Sequence, residues 1–280
     1  MSSKPSSTDT QTWDENRNVI RSRKGGWVMG EAVYSHGYNM MDELVGHCSY
    51  RQVVILNATG RMVSRELAEW IDTIHICLSW PDPRIWCNQI GALAGAARCS
   101  VVAATAAGMV AADSRIYGGK TLIAGVEFIQ RVGRERQSGK TVEEIVKAEC
   151  DKHGGKPFVM GYARPIAKGD ERIPAMERVT EKLGFKVGKH LELAHEIEKC
   201  LMRDFDEGMN INGYMSAFLS DQGLSPVEVY RIFATFVTSG VTACYVDTVE
   251  KPADSFLPLR CDDIDYQGKA PRSLKGEDNN

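Results

Sequence analysis

Apolar positions recur at three- and four-residue steps along nearly the whole chain, and none of it shows sustained two-residue alternation. From Arg65 to Ser79 the residues Leu67, Trp70, Ile71, Ile74 and Leu78 form one stripe, which predicts an amphipathic helix. Thr141 followed by Glu144 is a capping box in front of Ile145-Val146. Ser225-Pro226-Val227-Glu228 is a sharper one, with proline at the first helical position, and predicts a helix running to about Tyr245. The pattern predicts an all-α fold.

Breakers divide the helices. Gly118-Gly119 ends a small-residue helix over Cys99 to Asp113, and Gly154-Gly155-Lys156-Pro157 separates a 141–152 helix from a loop that begins at Phe158. Pro174 and Gly184 bound a short helix over Ala175 to Leu183, and the chain from Pro252 onward reads as extended. The Gly91–Ala112 stretch is built of alanine and glycine on all faces. Such a helix is expected either at the centre of a helical domain or across a dimer interface, because small residues let helix backbones approach closely.

Composition narrows the class. A hydrophobic share of 43% and a charged share of 25% suit a globular protein. A formal net charge of −3 over 280 residues gives no field to recruit nucleic acid or an anionic membrane. The longest apolar run, Val101 to Ala112, is shorter than the roughly 20 residues of a membrane helix. Residues 1–18 are polar, carry no signal-peptide core and are expected to be a disordered tail. The eight cysteines are scattered without a Cys-x-x-Cys pair, as in a cytoplasmic protein with reduced thiols, and His190 and His195 fall on different helix faces, so no metal site is expected.

The chemistry is concentrated in a few segments. Phe158-Val-Met-Gly-Tyr-Ala-Arg-Pro-Ile-Ala-Lys-Gly-Asp-Glu-Arg-Ile-Pro174 resembles the acyl-CoA loop of citrate synthases and citryl-CoA lyases, which usually reads Gly-Phe/Ile-Gly-His-x-x-Tyr/Val-Lys-x-x-Asp-Pro-Arg; Arg164 stands at the histidine. The segment from Val33 to Tyr50 is similar to the family's Tyr-Arg-Gly-Tyr-x-x-x-Glu-Leu-Ala, and Leu56-Asn-Ala-Thr-Gly60 to its Leu-x-x-Thr-Gly. Asp113-Ser-Arg-Ile-Tyr-Gly-Gly-Lys120 stands where synthases have Gly-Pro-x-His-Gly-Gly, and Asn210-Ile-Asn-Gly-Tyr-Met-Ser-Ala-Phe218 where they have Asn-Val-Asp-Phe-Tyr-Ser-Gly. The resemblance covers roughly residues 20 to 267 in order. An aromatic residue before the paired glycines, and Asp262-Asp-Ile-Asp-Tyr266 near the end, bring it nearer the citryl-CoA lyases, including the C-terminal module of ATP-citrate lyase.

The resemblance implies a large helical domain of residues 19–119 plus 211–280, a smaller inserted CoA-binding domain of 120–210, and a homodimer. It implies acyl-CoA and a di- or tricarboxylic acid as ligands, with coenzyme A as substrate and no metal. That chemistry makes or breaks a carbon–carbon bond next to a thioester, and needs a base together with donors for the developing oxyanions. The three proton-transfer positions differ here. Asn212 replaces the aspartate base, and a neutral amide cannot take up a proton. Tyr117 and Arg164 replace histidines and retain only donor or charge-stabilising capacity. The substrate-gripping Arg172 is retained, and so is Lys168, suited to CoA phosphates, alongside Gly161 and Tyr162 of the same loop. Arg84 falls near the family's third histidine, with Asn88 beside it; Arg260 could meet a carboxylate, and Asp82 is the nearby carboxylate able to serve as substitute base. Two readings follow: a CoA-dependent carbon–carbon bond-forming or -cleaving enzyme with non-standard catalytic residues, or a family member without the ancestral catalysis that binds CoA thioesters or carboxylates or serves as a partner subunit. Outside the resemblance, Arg164 and Arg172 read as solvated loop charges, Asn212 as a turn residue before Gly213, Tyr117 as a packing aromatic, and Asp82 as a turn former between two prolines.

Overall fold

A computed structural model describes residues 10–164 and 169–272. The chain is mainly α, with the helices α1 (Gln11–Asn16), α2 (Tyr50–Thr59), α3 (Arg65–Cys77), α4 (Trp86–Ala96), α5 (Val101–Ala112), α6 (Gly119–Gln137), α7 (Val142–Asp151), α8 (Arg172–Lys182), α9 (Lys189–Phe205), α10 (Ile211–Asp221), α11 (Pro226–Ile232) and α12 (Thr238–Val249). Among the described residues no helix is long and apolar enough to cross a membrane.

Local chemistry sets the helix ends. The Thr141–Glu144 and Ser225–Glu228 capping boxes both form, and a third closes on Ser49 and Gln52 at the start of α2. α3 follows the predicted stripe, burying Leu67, Trp70, Ile71 and Ile74. Three expectations change. The helix capped by Ser225 stops at Ile232, because Phe233 turns into the core and a new helix begins only at Thr238. α8 starts at Arg172, so Pro174 lies inside its first turn, where a missing N–H costs no hydrogen bond. Within the stretch expected to be a tail, Gln11–Asn16 forms an exposed helical segment.

A small antiparallel meander was not signalled by periodicity. Its strands β1 (Gly25–Val28), β2 (Ala32–Ser35) and β3 (Tyr38–Asn39) pair in sequence order, with Gly25 opposite Ser35 and Tyr34 opposite Asn39. All four residues of β1 are exposed, so no buried face imposes an alternating pattern on them.

The contacts separate two compact units. One takes in the chain up to Ser79 and from Asp113 to Phe236, so helices α6 to α9 share it with α10 and α11. That partition differs from the expected lobes of 19–119 plus 211–280 and 120–210. At the centre of this unit Trp70 stacks on Phe218 with ring centroids 3.9 Å apart. Its indole N–H donates to the Thr180 hydroxyl at 2.8 Å, which lies 2.9 Å from the Tyr214 hydroxyl, so the buried polar groups satisfy one another. α10 is buried at every position from Ile211 to Ser220 except Asn212, and packs against α6, α8 and α9.

The second unit takes in Trp80–Ala112 and the chain from Val237, with α4, α5 and α12 packed together. Its glycines permit the close approach predicted for small residues. A Cβ on Gly91 would stand 2.5 Å from the Val241 carbonyl oxygen, and one on Gly108 2.6 Å from the Val241 Cγ1. α5 is not enclosed, however: Ala104, Gly108 and Ala112 are buried, whereas Val102 and Val110 are 75% and 77% exposed.

Candidate functional site

The loop after Pro157 is fixed against the start of α10 by backbone geometry. Gly161 has φ +90°, and a Cβ there would lie 2.7 Å from the Gly213 Cα, so no other residue fits. Its carbonyl accepts from Asn210 N–H at 3.0 Å, Ala163 N–H donates to Gly208 O at 2.9 Å, and Tyr162 bridges Met209. The Asn210 side chain ties both ends, donating to Ala163 O at 2.7 Å and accepting from the N–H groups of Asn212 and Gly213 as the α10 N-cap. The Tyr162 ring is buried and its hydroxyl donates to Ala194 O at 2.8 Å, so this side chain, expected at the cofactor, is committed to the core. Burial pushes its phenol well above the ordinary value.

Four charges among the described residues close the loop. Asp170, whose side chain has no exposed surface, accepts from Arg172 Nε at 2.7 Å, Arg172 Nη2 at 2.6 Å and Ile211 N–H at 2.8 Å. Burial alone would raise the Asp170 carboxyl; the Arg172 bonds outweigh it and hold the carboxyl below the usual range. Arg164 pairs with Glu171 through Nη1 at 2.5 Å and Nη2 at 3.2 Å, and its Nη1 is 3.9 Å from Asp170. The Glu171 carboxylate holds the Arg164 guanidinium above its ordinary value. Lys168 lies outside the described residues.

Asn212 occupies the second position of α10. Its amide N–H donates to Thr121 O on α6 at 3.0 Å, and its oxygen accepts from the Ser216 hydroxyl at 3.1 Å, so both ends of the amide cross-link helices or turns. Gly125 leaves the room, since a Cβ there would stand 2.8 Å from Asn212 Oδ1.

Tyr117 precedes α6 in a turn held by Ser114, whose hydroxyl accepts from Tyr117 N–H at 3.1 Å and donates to Tyr117 O at 3.2 Å. Its ring lies 6.4 Å from Phe236 in a tilted arrangement. The same segment carries a carboxylate that sequence reasoning passed over. Asp113 Oδ2 accepts from the Tyr230 hydroxyl at 3.0 Å and is 3.7 Å from Lys120 Nζ, while Oδ1 is buried without a hydrogen-bond partner. Asp113 also pushes the Tyr230 phenol up. The only sequence signal was its place at the head of the Asp-Ser-Arg-Ile-Tyr-Gly-Gly segment.

In the second unit Asp82, Arg84 and Asn88 share one turn. Arg84 grips Asp82 with Nε at 3.1 Å from both oxygens and Nη2 at 2.6 Å, and these bonds hold the Asp82 carboxyl below its usual range. That weakens Asp82 as a base. Asn88 is buried and donates to the carbonyls of Trp80 at 2.8 Å and Asp82 at 3.1 Å, pinning the turn to α4. Arg260 is exposed in a separate turn, where its N–H donates to Asp263 at 2.8 Å.

The structure thus gathers Gly161, Tyr162, Arg164, Arg172 and Asn212 into one neighbourhood of the first unit. Tyr117 leads into the helix turn that Asn212 holds, while Asp82, Arg84, Asn88 and Arg260 belong to the second unit. A concavity of about 420 Å³ opens elsewhere, lined by Arg136, Glu143, Glu196, Lys199, Cys200 and Arg203; it shares no residue with the expected site. Among the described residues no cluster of three or more His, Cys, Asp or Glu side chains is arranged to hold a metal.

No protein-family model matches the chain, and no curated protein matches it in sequence. Solved structures do. Citryl-CoA lyase from Hydrogenobacter thermophilus superposes with a TM-score of 0.73 at 22% identity, covering 91% of this chain and 97% of the lyase. ATP citrate lyase from Methanothrix soehngenii, in complex with citrate and coenzyme A, gives 0.74 at 15% identity over 93% of this chain and 44% of the other. Citrate synthase from Thermoplasma acidophilum, with carboxymethyl coenzyme A and oxaloacetate, gives 0.62 at 20% identity over 81% and 58%. The chain therefore has the fold shared by these citryl-CoA lyase and citrate synthase structures. The match takes in nearly the full extent of the citryl-CoA lyase and less than half of the ATP citrate lyase.

Proposed function

We propose that this protein binds a CoA thioester together with a di- or tricarboxylic acid on its citrate synthase-type scaffold, and does so without the ancestral proton-transfer catalysis. The observation that carries this reading is the state of Asn212. The residue at the position of the family's base is a neutral amide, with its N–H given to Thr121 O and its oxygen to Ser216. The other mapped positions support it: Arg164, Arg172 and Asp82 are already ion-paired, with Glu171, Asp170 and Arg84. Groups suited to holding anions remain, whereas groups suited to moving protons have gone.

Tyr117 and Arg164 favour a second reading, a CoA-dependent carbon–carbon bond-forming or -cleaving enzyme in which the phenol and guanidinium stabilise oxyanions and a water is the base. The exposed apolar residues Val102 and Val110 of α5 support a homodimer in either case.

Calorimetry with CoA, acetyl-CoA, oxaloacetate and citrate tests the shared premise, and thiol release with product analysis on citryl-CoA separates the readings. The expected result is binding of a thioester and an acid with no turnover. Turnover of citryl-CoA would establish the enzyme, and absence of any binding at millimolar concentration would sink both.

A further inference from the structure

Two arginine–carboxylate pairs stand side by side in the 161–172 loop, and they are built differently. In the Arg172–Asp170 pair the carboxylate has no exposed side-chain surface and also holds the first N–H of α10. In the Arg164–Glu171 pair the burial is reversed: the Arg164 side chain is 12% exposed and that of Glu171 70%. Glu171 nevertheless meets the guanidinium through both oxygens, on Nη1 and Nη2, as a bound carboxylate would.

Among the described residues of the loop the charges balance only while Glu171 stays. Arg164 and Arg172 face Asp170 and Glu171, and Asp170 is occupied by Arg172 and Ile211. When Glu171 swings away, the Arg164 guanidinium, already largely withdrawn from water, keeps among the described carboxylates only the longer contact to Asp170 at 3.9 Å. A poorly solvated, uncompensated guanidinium takes up another carboxylate readily.

We propose that Glu171 is a built-in stand-in ligand: it occupies the carboxylate seat on Arg164 in the empty protein and is displaced by a carboxylate of the bound di- or tricarboxylic acid. This inference rests on the carboxylic-acid binding proposed above. Glu171 then acts as an intramolecular competitor, and the acid's apparent affinity is reduced by the fraction of molecules in which the seat is taken. An arginine fork can take phosphate, the other anion a CoA ligand would bring, as well as carboxylate; the carboxylate is the favoured occupant because the group already seated on both Arg164 Nη atoms is the Glu171 carboxylate.

The test is titration calorimetry of citrate, inorganic phosphate and CoA into the full chain and into Glu171→Gln, Arg164→Gln and the double variant, with thermal melts to check folding. Glu171→Gln should bind citrate about five-fold more tightly, the size expected for releasing a largely exposed ion pair, with phosphate and CoA unchanged. Arg164→Gln should weaken citrate, and on that background Glu171→Gln should have no effect. Should Arg164→Gln fail to fold, Arg164→Lys serves instead, keeping the charge but losing the fork. Unchanged or weaker citrate binding in Glu171→Gln, an equal gain without Arg164, or an equal gain for phosphate would each overturn the proposal while leaving carboxylate binding intact. Absence of citrate binding in every variant would overturn the functional reading as well.

Discussion

Gly161 and Gly213 meet backbone to backbone, with the space for a Gly161 Cβ ending 2.7 Å from the Gly213 Cα. This contact joins the family-like loop to the N-terminus of α10, on which Asn212 sits. Gly161→Ala therefore meets two penalties, a positive φ of +90° and a backbone collision that no side-chain movement relieves. It should lose about 2–4 kcal/mol in urea unfolding. Gly155→Ala, at φ +82° with nothing within 4 Å of its Cβ position, should lose only about 1 kcal/mol. Equal losses would show that strain alone, and not the Gly161–Gly213 contact, is at work.

Asp170 is the second joint of the loop. Asp170→Asn leaves Arg172 without its charge partner and replaces an ionised acceptor by an amide; about 2–4 kcal/mol should be lost. The pH dependence has a definite sign. The folded-state carboxyl is held below the ordinary 3.8, so its contribution is complete above that pH and disappears as pH falls through the lower folded value. Denaturation midpoints of wild type and Asp170→Asn should therefore converge below about pH 4. Curves that stay parallel in acid would exclude this ion pair as the source.

Much of the helical frame was legible in the sequence because its signals are local. The Ser225 and Thr141 capping boxes, the α3 stripe and the glycine breaks each depend on residues within a turn or two of one another. The break between α11 and α12 was invisible, since Phe233 departs from the helix to enter a core made by distant residues. The family resemblance singled out Arg164, Arg172 and Asn212 as candidates, but what their side chains touch depends on partners remote in sequence: Thr121 lies 91 positions before Asn212. The burial of Asp170 was hidden for the opposite reason. Adjacent charged residues in a loop read as solvent-facing, and nothing in the pattern Asp170-Glu171-Arg172 tells which carboxylate is buried.

His75 should give the chain an acid sensitivity that sets in well above the carboxylate range. Its ring stacks on Phe233 with centroids 4.9 Å apart, Nδ1 lies 2.8 Å from Ile71 O, and Arg51 Nη1 is 3.2 Å from Nε2. An arginine can only donate, so Nε2 accepts and the ring is neutral with its proton on Nδ1. Burial pushes the group down from 6.5 to about 4. Because the unfolded chain takes up this proton first, stability is full above about pH 6.5 and falls as pH drops towards about 4. Roughly 2 kcal/mol should be lost over that interval, below the ceiling set by the size of the shift. His75→Phe keeps the stack, removes the titrating group and should flatten urea-unfolding stability across the same interval; an unchanged slope would assign the acid sensitivity elsewhere.

Asn212→Asp distinguishes the two functional readings at the residue where they diverge. The amide N–H that holds Thr121 O becomes a carboxylate oxygen facing another oxygen, while Ser216 can still donate to the other side. Loss of a partly buried hydrogen bond together with lone-pair repulsion should cost about 1–3 kcal/mol, measured by urea unfolding at neutral pH. If α6 and α10 need that cross-link, restoring the family's acid does not restore its chemistry: neither Asn212→Asp nor its combination with Arg164→His should form citrate from acetyl-CoA and oxaloacetate. Citrate formation by either variant would mean that the carboxylate reaches a bound substrate, and that the present amide replaced a working base on a scaffold still built for catalysis.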